Sequence, residues 1–258
     1  MKIAVCVKQI PDPAAPGKLG ADYNLVRDSK LIMDESDSYG VEMALQIVDN
    51  SGGGEVVIFS MAPNDEQAGL RNALAMGASR AVLVSDKALG GSDALTTARI
   101  LSKAISRDQF DLVIAATESS DGYTGTTPVQ MAELLDLPSV SFAKKVDVEG
   151  TTVKVARQTE AGYDDIEVTL PALITVTAGV VEPRYPNFKG IMAAKSKPVE
   201  KLTVADLGFD PSSVGAAGAG QKIESVRAAE ARGAGTVVVD EGDGFAKIVE
   251  YLENAKVI

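Results

Sequence analysis

Ala116, Thr117, Glu118, Ser119, Ser120, Asp121, Gly122, Tyr123, Thr124, Gly125, Thr126 and Thr127 place hydroxyls, two acids and two glycines between an apolar run, FDLVIAA, and an amphipathic one, PVQMAELLDLP. If the first run is a strand and the second a helix starting near residues 125–128, the backbone N–H groups around 124–127 have no partner in the helix. The helix dipole there favours negative charge, and the threonine hydroxyls add donors. Phosphate binding is the chemistry this arrangement suits. A plain helix cap at Thr126 or Thr127, with Gly122 and Gly125 serving turns, accounts for the same residues equally well. Neither GxxxxGK[ST] nor a strand-flanked GxGxxG occurs, so ATP hydrolysis on a Walker loop and nicotinamide binding of the usual Rossmann kind lose support.

Composition narrows the field further. The chain has 258 residues, 45% of them hydrophobic and 24% charged, enough to bury a substantial core and too apolar for wholesale disorder. It has one cysteine, Cys6, and no histidine, which removes a disulfide framework and the commonest metal ligand and general base. A net charge of −11 opposes nucleic-acid binding. The stretch with Lys189, Lys195, Lys197 and Lys201 reads as a solvated face. No apolar run approaches the ~18 residues a bilayer span needs, and MKIAVCVKQIPDP is too soon broken by proline to be a secretory signal, so a cytoplasmic protein without membrane insertion is expected.

The elements that must position these groups follow from periodicity. KIAVCV, EVVIFSM, RAVLVS and FDLVIAA are short apolar runs of strand type. Between them lie DESDSYGVEMALQIVDN, with Val41, Ala44, Leu45 and Val48 at helical spacing; NDEQAGLRNALAMGA, a helix opened by Asn64 or Asp65 and closed at Gly77; and SDALTTARILSKAISRD. Such alternation predicts an α/β fold, doubly wound around a mostly parallel sheet. TVKVARQ and DDIEVTL alternate polar with apolar residues around TEAGY, which predicts an antiparallel edge hairpin, and PALITVTAG returns to the core as an apolar strand. Beyond Glu182 the organisation loosens through DPSSVGAAGAGQ. Val237, Val238 and Val239 and a last helix with Ile248, Val249 and Leu252 then form apolar clusters that need a partner surface, in an extended C-terminal arm.

In an open parallel sheet, ligands collect beyond the carboxyl ends of strands. The loops at 7–12 and 61–64 fall on the same edge as 116–127, so three strand ends can surround one nucleotide. Cys6 itself reads as a small buried strand residue with no chemistry of its own.

VKQIPD, ALAMGA, ESSDGYTGTTPVQMAELLDLP and above all LPALITVTAGVVEPRYPNFKGIMAAKSK give the chain, along nearly its whole length, a sequence that resembles the electron transfer flavoprotein family in its beta (small) subunit. The resemblance implies an adenine-nucleotide-binding type of α/β domain over residues 1–186, then a partner-recognition loop and arm over 187–258 that wraps a larger alpha subunit carrying the redox-active FAD. It implies an electron carrier rather than an enzyme, passing electrons from flavin dehydrogenases, such as the acyl-CoA dehydrogenases of fatty acid oxidation, to a quinone-linked oxidoreductase.

Carried over, the nucleotide pocket comprises Cys6 or its backbone, Asp34, Glu35, Ser36, Asp37, Met61 and residues 116–127. It holds AMP structurally or, in electron-bifurcating relatives, a second FAD together with NADH. The partner anchor falls on Phe188, where other members often have Leu, with Lys189, Ile191, Met192 and Lys195 around it. Val181 stands where many members carry Asn. Glu182 and Arg184 are expected to order the loop by pairing with each other or with the alpha subunit. A nucleotide-binding regulatory module acting alone is the alternative outside electron transfer.

Overall fold

A computed structural model describes residues 1–15, 17–28, 30–227, 233, 235 and 237–258. They form two units, Met1–Ile223 and Glu224–Ile258.

The first unit is built on a nine-stranded sheet. In chain order its strands are β1 (Lys2–Cys6), β4 (Glu55–Ala62), β5 (Arg80–Ser85), β6 (Leu112–Ala116), β7 (Ser139–Glu149), β8 (Thr152–Thr159), β9 (Gly162–Thr169), β10 (Ala172–Val176) and β11 (Val199–Leu202), while β2 (Gln9–Pro11) and β3 (Leu31–Met33) pair in a separate antiparallel ribbon. The order across the large sheet is β11-β5-β4-β1-β6-β10-β7-β8-β9, parallel as far as β7 and antiparallel from there to β9. The chain winds from β1 outward through β4 and β5 and then returns to place β6 on the other side of β1, so the order reverses between β1 and β6. That is the switch point where the loops at the strand ends part and leave a crevice.

Helices cover both faces of the sheet, and the strand period explains why. Ile3 and Val5 of β1 pack with Val41 and Leu45 of α1 (Glu35–Asn50) and with Leu70 and Leu74 of α2 (Ala68–Met76). Ala4 points the other way, toward Ala98 and Leu101 of α3 (Ala94–Ile105) and Met131 of α4 (Thr127–Leu134). A strand buried on both sides has no need of polar alternation, which is why these runs read as continuously apolar.

Asp34 caps α1 by accepting from Ser36 N, and α2 ends at Gly77 as expected. Its beginning differs from the sequence reading. The helix starts at Ala68, not at Asn64 or Asp65, because the Glu66 carboxylate takes the free N–H groups of Gln67 and Ala68 at 2.9 and 2.8 Å, while Asp65 turns to the Ser85 hydroxyl. The edge hairpin is β8 and β9, and β7 extends it to a three-stranded meander.

After β10 the chain forms α5 (Phe188–Ala194), which lies so close on α2 that a Cβ at Gly190 would sit 2.4 Å from the Ala75 carbonyl oxygen. Arg71 on α2 donates to Ala194 O and Lys197 O, and Lys197 Nζ returns donors to Leu74 O and Ala78 O. β11 then pairs with β5, and α6 (Gly215–Gly218) is the last element of the unit. Residues 187–223, grouped with the arm from the sequence, thus lie in the first unit.

In the second unit α7 (Gly244–Asn254) is the one helix among the described residues; Phe245, Ile248 and Tyr251 along it are exposed, as are Val237 and Val239. No helix among the described residues is long and apolar enough to cross a membrane.

Candidate functional site

The crevice at the β1/β6 switch point is a cavity of about 600 Å³, within the range of small-ligand sites. It is built by the ends of β1, β4 and β6; the start of α4; residues 22–27, of which Leu25 forms an isolated bridge with Leu19; residues 89–97 leading into α3; and Ala216 near the end of the first unit. A smaller cleft of about 200 Å³ lies at the opposite end of the strands, where Arg80, Asp108 and Glu200 are engaged in ion pairs with Glu55, Lys2 and Arg107.

Of the residues proposed from the sequence, Cys6, Asp37, Met61, Ala116, Thr117, Glu118, Ser119, Thr124, Gly125 and Thr127 line the cavity. The others stand behind the wall. Asp34 is fully buried and bridges two segments: one oxygen caps α1, and the other accepts from the backbone N–H and hydroxyl of Ser120 at 2.7 and 3.1 Å. Glu35 and Ser36 form the first turn of α1 beside it. Asp121 does not reach the cavity. It accepts from Lys8 Nζ at 2.5 Å and from Arg27 Nη2. Gly122, Tyr123 and Thr126 are exposed and do not line the cavity.

Lys8 and Arg27 both line the cavity, and periodicity reveals neither. They lie 113 and 94 residues from Asp121, a separation no local pattern spans. Lys8 Nζ also donates to Ser119 Oγ at 3.0 Å, and Arg27 Nη1 to Gln9 O at 2.9 Å, so these two side chains tie the β1 loop, the 22–27 turn and the 117–127 loop together. Burial opposes ionisation of Asp121, but the Lys8 ammonium and Arg27 guanidinium outweigh it and hold its carboxyl below the usual range.

Asp37 behaves in the opposite way. It is 6% exposed, and burial pushes its carboxyl well above the ordinary range, against the pull of the Lys8 N–H at 2.6 Å and with Asp34 adding repulsion. Burial, with the Asp37 charge second, also pushes the Cys6 thiol up to about 12, so Cys6 carries no thiolate at neutral pH.

The start of α4 supplies donors. Among the described residues the backbone N–H groups of Thr124, Gly125, Thr126 and Thr127 have no hydrogen-bond partner, and Thr126 does not cap the helix with its side chain. Gly125 sits at φ +68°, a left-handed turn that a side chain would strain. Such a row of amides at a helix N-terminus fits a phosphate, with Lys8 alongside. Glu118 faces the same loop, its Oε2 3.5 Å from the position of a Cβ on Gly125, so an anion there is met by backbone donors more than by net positive charge.

The Electron transfer flavoprotein domain model matches residues 23–207, a stretch that holds most of this cavity and α5. The chain belongs to the electron transfer flavoprotein family. Over 263 aligned positions it is 39% identical to the electron transfer flavoprotein subunit beta of Mycobacterium tuberculosis (strain ATCC 25618 / H37Rv), covering 99% of each chain. It is 36% identical to the corresponding subunit of Thermoanaerobacterium thermosaccharolyticum, with both chains fully covered. It is also 36% identical, over 83% of each chain, to the caffeyl-CoA reductase-Etf complex subunit CarD of Acetobacterium woodii.

In this family member the EPRY segment is organised differently from expectation. Arg184 does not pair with Glu182. It turns onto Glu42 and Asp49 of α1, because the Glu42 carboxylate is buried and among the described residues has Gln46 as its other side-chain partner. The segment is thereby pinned to α1, and α5 follows with Phe188 at its first turn, 79% exposed. Tyr185, Ile191 and Met192 are exposed around it, with Lys189 and Lys195.

Proposed function

We propose that this chain is the beta subunit of a heterodimeric electron transfer flavoprotein, an electron carrier that moves electrons from flavin dehydrogenases, among them acyl-CoA dehydrogenases, to a quinone-linked acceptor. The observation that carries the reading is the end-to-end relationship to electron transfer flavoprotein beta subunits, combined with a nucleotide-sized cavity at the switch point.

In this reading AMP occupies the cavity, its phosphate on the amides of 124–127 and Lys8, with Asp37 in the lining toward a ribose or adenine hydrogen-bond donor. FAD, held mainly by the alpha subunit, supplies the one- and two-electron chemistry. The chain's own residues bind, orient and dock. Phe188, with Ile191 and Met192, is the apolar anchor for the dehydrogenase, and Lys189 and Lys195 steer acidic partners toward it. The unit from Glu224 onward, with its uncovered apolar side chains, is the arm that holds the alpha subunit.

A second reading has one observation in its favour: a relative at 36% identity is named as part of a caffeyl-CoA reductase-Etf complex. There the cavity takes a second FAD, and NADH is the electron donor. Mixing the assembled dimer with substrate-reduced acyl-CoA dehydrogenase, and separately with NADH, tests the two. Flavin reduction by the dehydrogenase alone supports the carrier, and reduction by NADH supports the second reading.

A further inference from the structure

One wall of the cavity has no place in the pocket carried over from the family. It is made by Gly91 and Asp93 ahead of α3 and by Ala216 of α6, which lies across them. The fit between the two pieces depends on missing side chains. Gly215 is at φ +61°, where a Cβ would come within 1.9 Å of Ala88 O, and a Cβ on Gly91 would lie 2.8 Å from the Ala216 methyl. Ala216 N donates to Gly90 O at 2.8 Å. Val214, buried, anchors the front of the segment, but residues 215–220 carry no side chain larger than alanine and have no apolar anchor of their own.

What holds the far end is Asp93. Its carboxylate is divided: Oδ1 accepts from Thr96 N and caps α3, and Oδ2 accepts from Gly220 N, both at 2.8 Å. One residue therefore belongs to the cavity lining, to the helix that begins there and to the last tie before the first unit ends at Ile223.

We propose that residues 215–220 are a ligand-responsive wall of the nucleotide cavity and that Asp93 is the residue that positions it. The inference rests on the cavity holding an adenine nucleotide, as proposed above. A ligand in contact with Gly91, Asp93 and Ala216 stabilises the closed wall by mass action, and a wall already held by Asp93 lowers the ordering cost of binding.

Asp93→Asn separates the two jobs of the carboxylate. Asparagine caps a helix as well as aspartate does, so Thr96 N keeps its acceptor, whereas an amide Nδ2 presents a donor to the Gly220 N–H. The experiment is backbone hydrogen exchange on the complex with the alpha subunit, stripped of bound nucleotide, with and without excess AMP and then FAD. In the unaltered protein the nucleotide should slow exchange both at 117–127 and at 215–220. In Asp93→Asn the slowing at 117–127 should persist while that at 215–220 is lost, with AMP bound roughly tenfold more weakly.

Protection of 117–127 without any change at 215–220 in the unaltered protein overturns the wall and leaves the cavity reading standing. Protection of neither segment by either nucleotide sinks the cavity reading and this inference with it. Should Asp93→Asn fail to fold, Gly91→Ala, which presses on Ala216 from the other side, gives the same readout: loss of the 215–220 response supports the wall and its persistence counts against it.

Discussion

Arg184 closes on Glu42 across 142 residues of sequence: its backbone N–H and Nε donate to Oε2 at 3.2 and 2.7 Å, and Nη2 to Oε1 at 3.1 Å. Glu42 is 3% exposed, so removing the guanidinium leaves a buried carboxylate with no cation, held by Gln46 and the backbone N–H of residue 184. Breaking such a pair costs ~3–5 kcal/mol when both partners are buried. Arg184 is more than a third exposed, so Arg184→Ala should cost less, about 2 kcal/mol after solvent screening is allowed for. Urea unfolding of the chain measures this, and Glu182→Ala in the same series should change stability by no more than about 0.5 kcal/mol.

Phe188→Ala tests the docking face. The side chain is almost free of the fold, so stability should stay within about 0.5 kcal/mol and flavin content should not change. The KM for the partner dehydrogenase should rise by roughly tenfold or more, as expected when a central apolar anchor is truncated. Electron transfer at an unchanged KM would remove Phe188 from that role.

At the start of α4, stability and binding should move in opposite directions. Thr127→Asp adds a carboxylate to the first turn, which favours the helix by about 0.3–1 kcal/mol. The same charge lies against the unpaired amides and repels a phosphate, so AMP affinity in a calorimetric titration should fall by at least roughly tenfold. Thr126 does not line the cavity, and Thr126→Asp should weaken binding much less.

Asp37 gives a pH signature. Its carboxyl is raised in the folded protein, so between the ordinary aspartate range and that raised value the folded state holds a proton the unfolded state has lost. Stability therefore falls as pH rises through this window. Asp37→Asn keeps an acceptor for Lys8 N and carries no charge to bury, so it should be more stable than the unaltered chain at pH 7. Urea midpoints at pH 5 and pH 7.5 should converge in the variant, and an undiminished fall between them would assign the pH dependence to another group.

Much of this architecture is legible in the sequence because the physics that forms it is local. β1, β4, β5 and β6 are buried on both faces and show as unbroken apolar runs, and Val41, Ala44, Leu45 and Val48 mark the buried side of α1 at its own period. β7 is less visible. Phe142 takes φ +61° with its N–H on Thr175 Oγ1, and the bulge there breaks the alternation that announces a half-exposed strand. The start of α2 is less legible: Asn64 and Asp65 look like caps, while the group that meets the helix amides belongs to Glu66.

The cavity divides in the same way. The hydroxyl-rich loop at 117–127 stands out, and so does its place after a strand. Lys8, Arg27 and the Gly91, Asp93 and Ala216 wall do not, since each becomes part of the site only through a partner far away in sequence. Arg184 is of the same kind: its neighbour Glu182 invites pairing by proximity, but the buried acid on α1 has the greater need of a cation.

The most direct test of the proposed function is to co-express the chain with its larger subunit, denature the purified complex and count the nucleotides released. One FAD and one AMP per dimer is the expected result. Two FAD and no AMP would contradict the simple carrier in favour of a subunit with a second flavin, and the absence of both nucleotides would contradict electron transfer flavoprotein chemistry in this chain altogether.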